Sequence, residues 1–119
     1  MAEIHILQQS RGAQQAVGLT VIIDVFRAFT TACQLIENGA VAIIPVARLE
    51  LAEELLKGNA DYVLIGERNG ITLNNAAFGN SPAQIKGIDF SKKTIVFTTS
   101  AGTKGFESAH RADELITGS

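Results

Sequence analysis

Four short apolar runs, Leu19-Thr20-Val21-Ile22-Ile23, Val41-Ala42-Ile43-Ile44, Tyr62-Val63-Leu64-Ile65 and Thr94-Ile95-Val96-Phe97, alternate with segments of helical period. Continuous runs of this kind are expected of strands covered on both faces, as in a parallel sheet. Ala112 to Thr117 is a fifth, more polar candidate strand. Glu3 to Leu7, with His5 between Ile4 and Ile6, reads as an N-terminal strand at an edge. Between the runs, Phe29, Ala32, Cys33 and Ile36 fall at i, i+3, i+4 and i+7 and form one apolar stripe, with Asn38-Gly39 as the stop. Leu49, Ala52, Leu55 and Leu56 form a second stripe, with Glu53 and Lys57 as an outward i,i+4 pair. Ser81-Pro82-Ala83-Gln84 reads as a helix start: Ser at the N-cap, Pro at N1, Gln closing a capping box. Ala101 to His110 is a weaker helix, diluted by Gly102 and Gly105. The fold class is therefore α/β, with a largely parallel or mixed sheet and helices on its faces.

A chain of 119 residues can bury roughly two-thirds of its extended surface, enough for one core, so 1–119 is read as a single α/β domain. Hydrophobic residues at 46% and charged residues at 18% exclude a disordered chain. A net charge of −2, with only Lys92-Lys93 adjacent, gives no pull toward nucleic acid or an anionic membrane. The lone cysteine, Cys33, cannot close an internal disulfide, and no signal peptide or membrane span is visible. Cytoplasmic localisation is the expectation.

The strand ends carry the polar residues. Asp24-Val25-Phe26-Arg27-Ala28-Phe29-Thr30-Thr31 follows Ile23, Gly66-Glu67-Arg68-Asn69-Gly70 follows Ile65, and Thr98-Thr99-Ser100-Ala101-Gly102-Thr103 follows Phe97. Pro45-Val46-Ala47, after Ile44, carries no chemistry. The carboxyl ends of parallel strands share one edge, where ligands bind, so Asp24, Arg27, Glu67, Arg68, Thr98, Thr99 and Ser100 should converge there, joined by Asn80-Ser81. Carboxylates suit Mg²⁺, arginines grip phosphate or sulfonate oxygens, and hydroxyl-rich turns offer anion donors. Taken singly, each has a structural reading. Asp24 can be a helix cap, Glu67-Arg68 a local ion pair, and Thr98-Thr99-Ser100 a strand end followed by an N-cap. Cys33, on the apolar stripe, reads as core packing, and His5 and His110 lack metal-ligand spacing. Gln8 to Val17 is a loop or short helix, and Gly66 to Gly79 a long connection without clear periodicity.

Four blocks in order, Ile23 to Thr31, Gly66 to Gly70, Phe78-Gly79-Asn80-Ser81-Pro82 and Thr98 to Thr103, resemble the 2-phosphosulfolactate phosphatase (ComB-like) family from about Val17 to Ser119. The resemblance implies a three-layer α/β/α fold. It also implies a Mg²⁺-dependent phosphatase that converts 2-phospho-3-sulfolactate to sulfolactate and phosphate, a step toward coenzyme M. Asp24 and Glu67 would hold Mg²⁺, and Arg27 and Arg68 would bind the phosphate and the second anionic group. Asn80, Ser81, Thr98, Thr99, Ser100, Gly102 and Thr103 would line the substrate cradle. Family chains are longer, so this one reads as an N-terminal portion or shortened homologue. Two positions depart from the family pattern: Ala77 stands where an Asp is common, and Ala101 where Asn is. These motivate an alternative, a non-catalytic anion-binding or assembly domain on the same fold. A phosphoacceptor receiver is disfavoured, because Gln8-Gln9 stand where its acidic pair is needed. An exposed strand edge or apolar face would favour homo-oligomers.

Overall fold

The computed structural model describes residues 1–24 and 27–119. The elements in chain order are α1 (Gln9–Ala13), β1 (Gly18–Ile23), α2 (Ala28–Glu37), β2 (Ala42–Pro45), α3 (Leu49–Lys57), β3 (Tyr62–Arg68), β4 (Ile71–Thr72), α4 (Pro82–Ile85), β5 (Thr94–Thr98), α5 (Gly102–Ser108) and β6 (Ala112–Gly118). All five expected strands from β1 onward form. Three of them join the short β4 in a sheet of order β2-β5-β3-β4, parallel except for the β3–β4 pair, while β1 and β6 form a separate parallel pair.

The period-2 alternation of the central strands sorts their side chains onto two faces. Ile65, Ile95 and Phe97 point to a core with Phe29 and Leu35 of α2 and Ile85 of α4. Leu64 and Val96 point the other way, onto Ala52, Leu55 and Leu56 of α3. Helices thus cover both faces of the four-stranded sheet, giving the three-layer arrangement. The apolar runs Val63-Leu64-Ile65 and Ile95-Val96-Phe97 are continuous because each face is a core.

Five local expectations are corrected. Glu3 to Leu7 is not a strand; it joins no ladder, and Ile4 and Ile6 stand exposed, because alternation without a neighbouring strand supplies no backbone partners. The β1 strand is buried on one face only: Ile22 packs inward, while Leu19, Val21 and Ile23 are 66%, 48% and 68% exposed. Cys33 is not in the core. The sheet takes the Ala28, Thr31 and Leu35 side of α2, and the stripe of Ala32, Cys33 and Ile36 borders an open groove with Ile43, Pro45 and Phe106. The Glu53–Lys57 ion pair and the Ser81–Gln84 capping box do not form among the described residues. Ser81 is the N-cap of α4 without a side-chain bond, and Gln84 Oε1 instead accepts the Gly79 N–H at 3.0 Å. The segment Gln8 to Val17 contains the five-residue helix α1. No described helix is long and apolar enough to cross a membrane.

Candidate active site

The segment expected to be an aperiodic connection from Gly66 is a hairpin at its start. Strand β3 continues to Arg68, Asn69 and Gly70 turn with φ of 53° and 79°, and β4 pairs back with Glu67 opposite Thr72. Two successive left-handed residues are what a tight type I′ hairpin needs, and Asn-Gly supplies them at low steric cost. The chain then returns beside β3, where Phe78 bridges Ile65, and Gly66 donates its N–H to the Phe78 carbonyl at 3.0 Å.

This hairpin places Glu67 and Arg68 on opposite faces of the sheet end. Glu67 is buried, 6% exposed, and its carboxylate faces the turn after β5. Oε1 accepts the Ser100 N–H at 2.7 Å, and Oε2 accepts the Gly70 N–H at 2.7 Å and the Ser100 hydroxyl at 2.9 Å. Burial pushes its pKa up, but the Ser100 and Gly70 N–H bonds, the Ser100 hydroxyl and the Arg68 charge together bring it below the ordinary carboxylate value. The folded state therefore favours ionised Glu67. Its contribution to stability is present above the unfolded pKa and is lost as pH falls through the depressed folded value.

Arg68 lies across three strand ends. Nη1 donates to the Glu67 carbonyl at 2.8 Å, and Nη2 to the Ala47 carbonyl at 2.7 Å and to Thr98 Oγ1 at 2.6 Å. A guanidinium has five N–H groups, so its Nε–H and one Nη1–H stay uncommitted. The Glu67-Arg68 side chains do not close on each other; Arg68 bonds the backbone of Glu67 instead.

Thr99 and Thr103 lock the turn into α5. Thr99 Oγ1 accepts the Thr103 N–H at 3.3 Å, and Thr103 Oγ1 accepts the Thr99 N–H at 3.2 Å and donates to the Thr99 carbonyl at 2.9 Å. Gly102 brings in the end of β1. An alanine Cβ at that position would stand 2.9 Å from Asp24 Oδ2, 2.8 Å from Ala28 Cβ and 3.4 Å from Thr99 Oγ1, so only glycine lets the Asp24 carboxylate rest against the start of α5.

One connected cluster at the carboxyl ends of β1, β3 and β5 therefore holds Asp24, Glu67, Arg68, Thr98, Thr99, Ser100, Gly102 and Thr103. Arg27 stands exposed at the start of α2 with φ of 97°, a conformation side chains rarely adopt and one that gathers at functional sites. Val25 and Phe26, in the same block, lie outside the described residues. Asn80 and Ser81 flank the return segment and make no side-chain bond to the cluster; Asn80 Oδ1 is buried with no partner among the described residues. The Ala47 carbonyl and the Asn69 and Gly70 N–H groups, which hold Arg68, Ser100 and Glu67, are not among the residues the sequence singles out. The Asn69-Gly70 dipeptide was the available signal for the last two.

The geometry can be set beside known proteins. The profile of 2-phosphosulpholactate phosphatase matches residues 4–119. The chain belongs to this family. Relatives named "Probable 2-phosphosulfolactate phosphatase" include one from Thermotoga petrophila, 42% identical over 100 residues. Others come from Clostridium tetani, 34% identical over 99 residues, and Symbiobacterium thermophilum, 33% identical over 106. The matches cover 83%, 82% and 87% of this chain, but only 42%, 42% and 46% of the respective relatives. This member of the 2-phosphosulpholactate phosphatase family thus spans less than half the length of the curated relatives it matches. Within that span lie all four of the blocks that carry the resemblance.

An all-oxygen donor set is present for a hard cation. Three of the roughly four lone pairs of the Glu67 carboxylate are already used, which leaves one, on Oε1. Asp24, beside Gly102, would supply the second carboxylate. Among the described residues no three His, Cys, Asp or Glu side chains gather. Two carboxylates are within what Mg²⁺ uses, since it commonly completes its shell with water and phosphate oxygens.

Proposed function

We propose that the strand-end cluster is the active site of a Mg²⁺-dependent phosphatase acting on 2-phospho-3-sulfolactate or a related small phosphorylated acid. The observation that carries this reading is the joining of Asp24, Glu67 and Arg68 through the β5–α5 turn, in a chain whose family is named for that reaction. Asp24 and Glu67 would hold the metal. When bound, Mg²⁺ neutralises phosphoryl charge and lowers the pKa of coordinated water.

The chain's own groups divide the remaining work by their free protons. Thr98 Oγ1 accepts from Arg68, an obligatory donor, and Thr99 Oγ1 accepts from a backbone N–H, so both hydroxyl protons are left for an anion at the floor of the site. Arg68 offers its two uncommitted N–H groups beside them, and Arg27, exposed at the mouth, takes the second anionic group. Asn80 and Ser81 extend the cradle from the return segment. Asp24 orients the attacking water and takes its proton. Two carboxylates against two guanidiniums give the site no net formal charge, so a divalent cation makes it attractive to a polyanionic substrate. The cytoplasmic setting and a place in coenzyme M formation belong to this same reading.

Phosphate release from 2-phosphosulfolactate, followed with and without Mg²⁺, tests the proposal. Turnover with Mg²⁺ that EDTA abolishes and added Mg²⁺ restores is the expected result. Tight binding of sulfolactate with no phosphate released at any Mg²⁺ concentration would favour the non-catalytic alternative, to which Ala77 and Ala101 lend weight.

A further inference from the structure

The Ser100 hydroxyl sits between two groups whose roles are fixed. The Asn69 N–H can only donate, and it reaches Ser100 Oγ at 2.8 Å. Ionised Glu67 can only accept, and its Oε2 lies 2.9 Å from the same oxygen. Ser100 therefore accepts from Asn69 and gives its single proton to Glu67. It has no proton left for a phosphate or sulfonate, unlike Thr98 and Thr99. Its own backbone N–H is also spent on Glu67, at Oε1.

The geometry points to Ser100 as a positioning residue for the metal-binding carboxylate rather than a substrate ligand. The hydroxyl pins the β3–β4 hairpin turn to the β5–α5 turn and loads Glu67 Oε2 twice, with Gly70 as the second donor. The carboxylate cannot rotate without breaking bonds to two separate turns, so its one unused lone pair keeps a fixed direction. Partners of this outer kind commonly set metal affinity by about 10–100-fold. The inference rests on the proposed metal site and adds to it the residue that orients one ligand.

Ser100→Ala removes the hydroxyl but keeps the backbone N–H on Oε1; Ser100→Thr restores a hydroxyl. Mg²⁺ binding to the full chain, measured by titration calorimetry without substrate, should weaken about tenfold or more in Ser100→Ala and return toward wild type in Ser100→Thr. Amide exchange at Asn69 should accelerate in the alanine variant alone. Wild-type Mg²⁺ affinity in Ser100→Ala, with Asn69 exchange accelerated, would make the hydroxyl a turn brace only and overturn the inference while leaving the metal site standing. No Mg²⁺ binding by the wild-type chain would overturn the metal site and the inference together.

Discussion

Asp24→Asn should abolish phosphate release, lowering kcat by at least about a thousandfold, while the melting temperature stays close to that of the wild-type chain. The amide is nearly isosteric with the carboxylate, so it can occupy the space that Gly102 leaves beside Ala28 and Thr99. What disappears is the negative charge. A proton acceptor in the transition state is commonly worth about 10²–10⁴ in rate, and a weakened metal site adds to the loss. Steady-state assays at saturating Mg²⁺, paired with a thermal melt, separate this outcome from misfolding. Activity retained in a well-folded Asp24→Asn protein would remove Asp24 from the chemistry.

Gly66→Ala should cost both fold and site. Gly66 pairs with Thr98 across the β3–β5 ladder, and an added Cβ would collide with the Thr98 carbonyl oxygen and lie 2.7 Å from Thr98 Cγ2 and 3.0 Å from its carbonyl carbon. Two of those three atoms are backbone, so no rotamer change relieves the contact. Overpacking in a close-packed interior typically costs about 1–3 kcal/mol, and a backbone clash belongs at the upper end. For a domain of this size that lowers the melting temperature by roughly 10 °C. The same displacement pulls Thr98 from Arg68 Nη2, which it meets at 2.6 Å, and shifts Glu67 against Ser100. Activity should therefore fall even well below the melting transition. A variant with wild-type melting and full turnover would mean that β3 and β5 approach each other less closely than described.

Much of this is legible in the sequence. The central strands announced themselves because Leu64-Ile65 and Val96-Phe97 each supply side chains to two cores, and burial on both faces leaves no room for polar alternation. The convergence of Glu67, Arg68 and the Thr98–Thr103 turn followed from parallel strands sharing a carboxyl edge, whereas Asp24 ends β1 of the separate β1–β6 pair and meets them at Gly102. Pairing partners were harder. Glu3 to Leu7 has the alternation of a strand but no neighbour to complete its ladder, and periodicity cannot supply one. Likewise, α2 carries apolar residues around more than one side. Which side meets the sheet depends on packing that a stripe count does not contain, so Cys33 was placed inward when it faces out.

The division of labour within the site was also hidden. Ser100, Thr98, Thr99 and Thr103 look equivalent as a hydroxyl-rich turn, yet the bonds around them commit the protons of Ser100 and Thr103 and leave those of Thr98 and Thr99. Ala47 has no reactive side chain, yet its carbonyl anchors Arg68. Backbone groups do not show in a sequence; only the Asn69-Gly70 turn, which sets two of them, could have been read there.

The central claim is that these residues form a preformed site that binds Mg²⁺ and, beside it, a small anion. Its most direct test is the melting temperature of the chain with Mg²⁺, with sulfolactate, and with both. At about a hundredfold over the dissociation constant, a ligand that binds only the folded state adds about 2.7 kcal/mol, a shift of several degrees. The account predicts a rise with Mg²⁺ alone and a larger one with both components, and the loss of both in Asp24→Asn. A cooperative melt unmoved by the pair at saturating concentrations would contradict it.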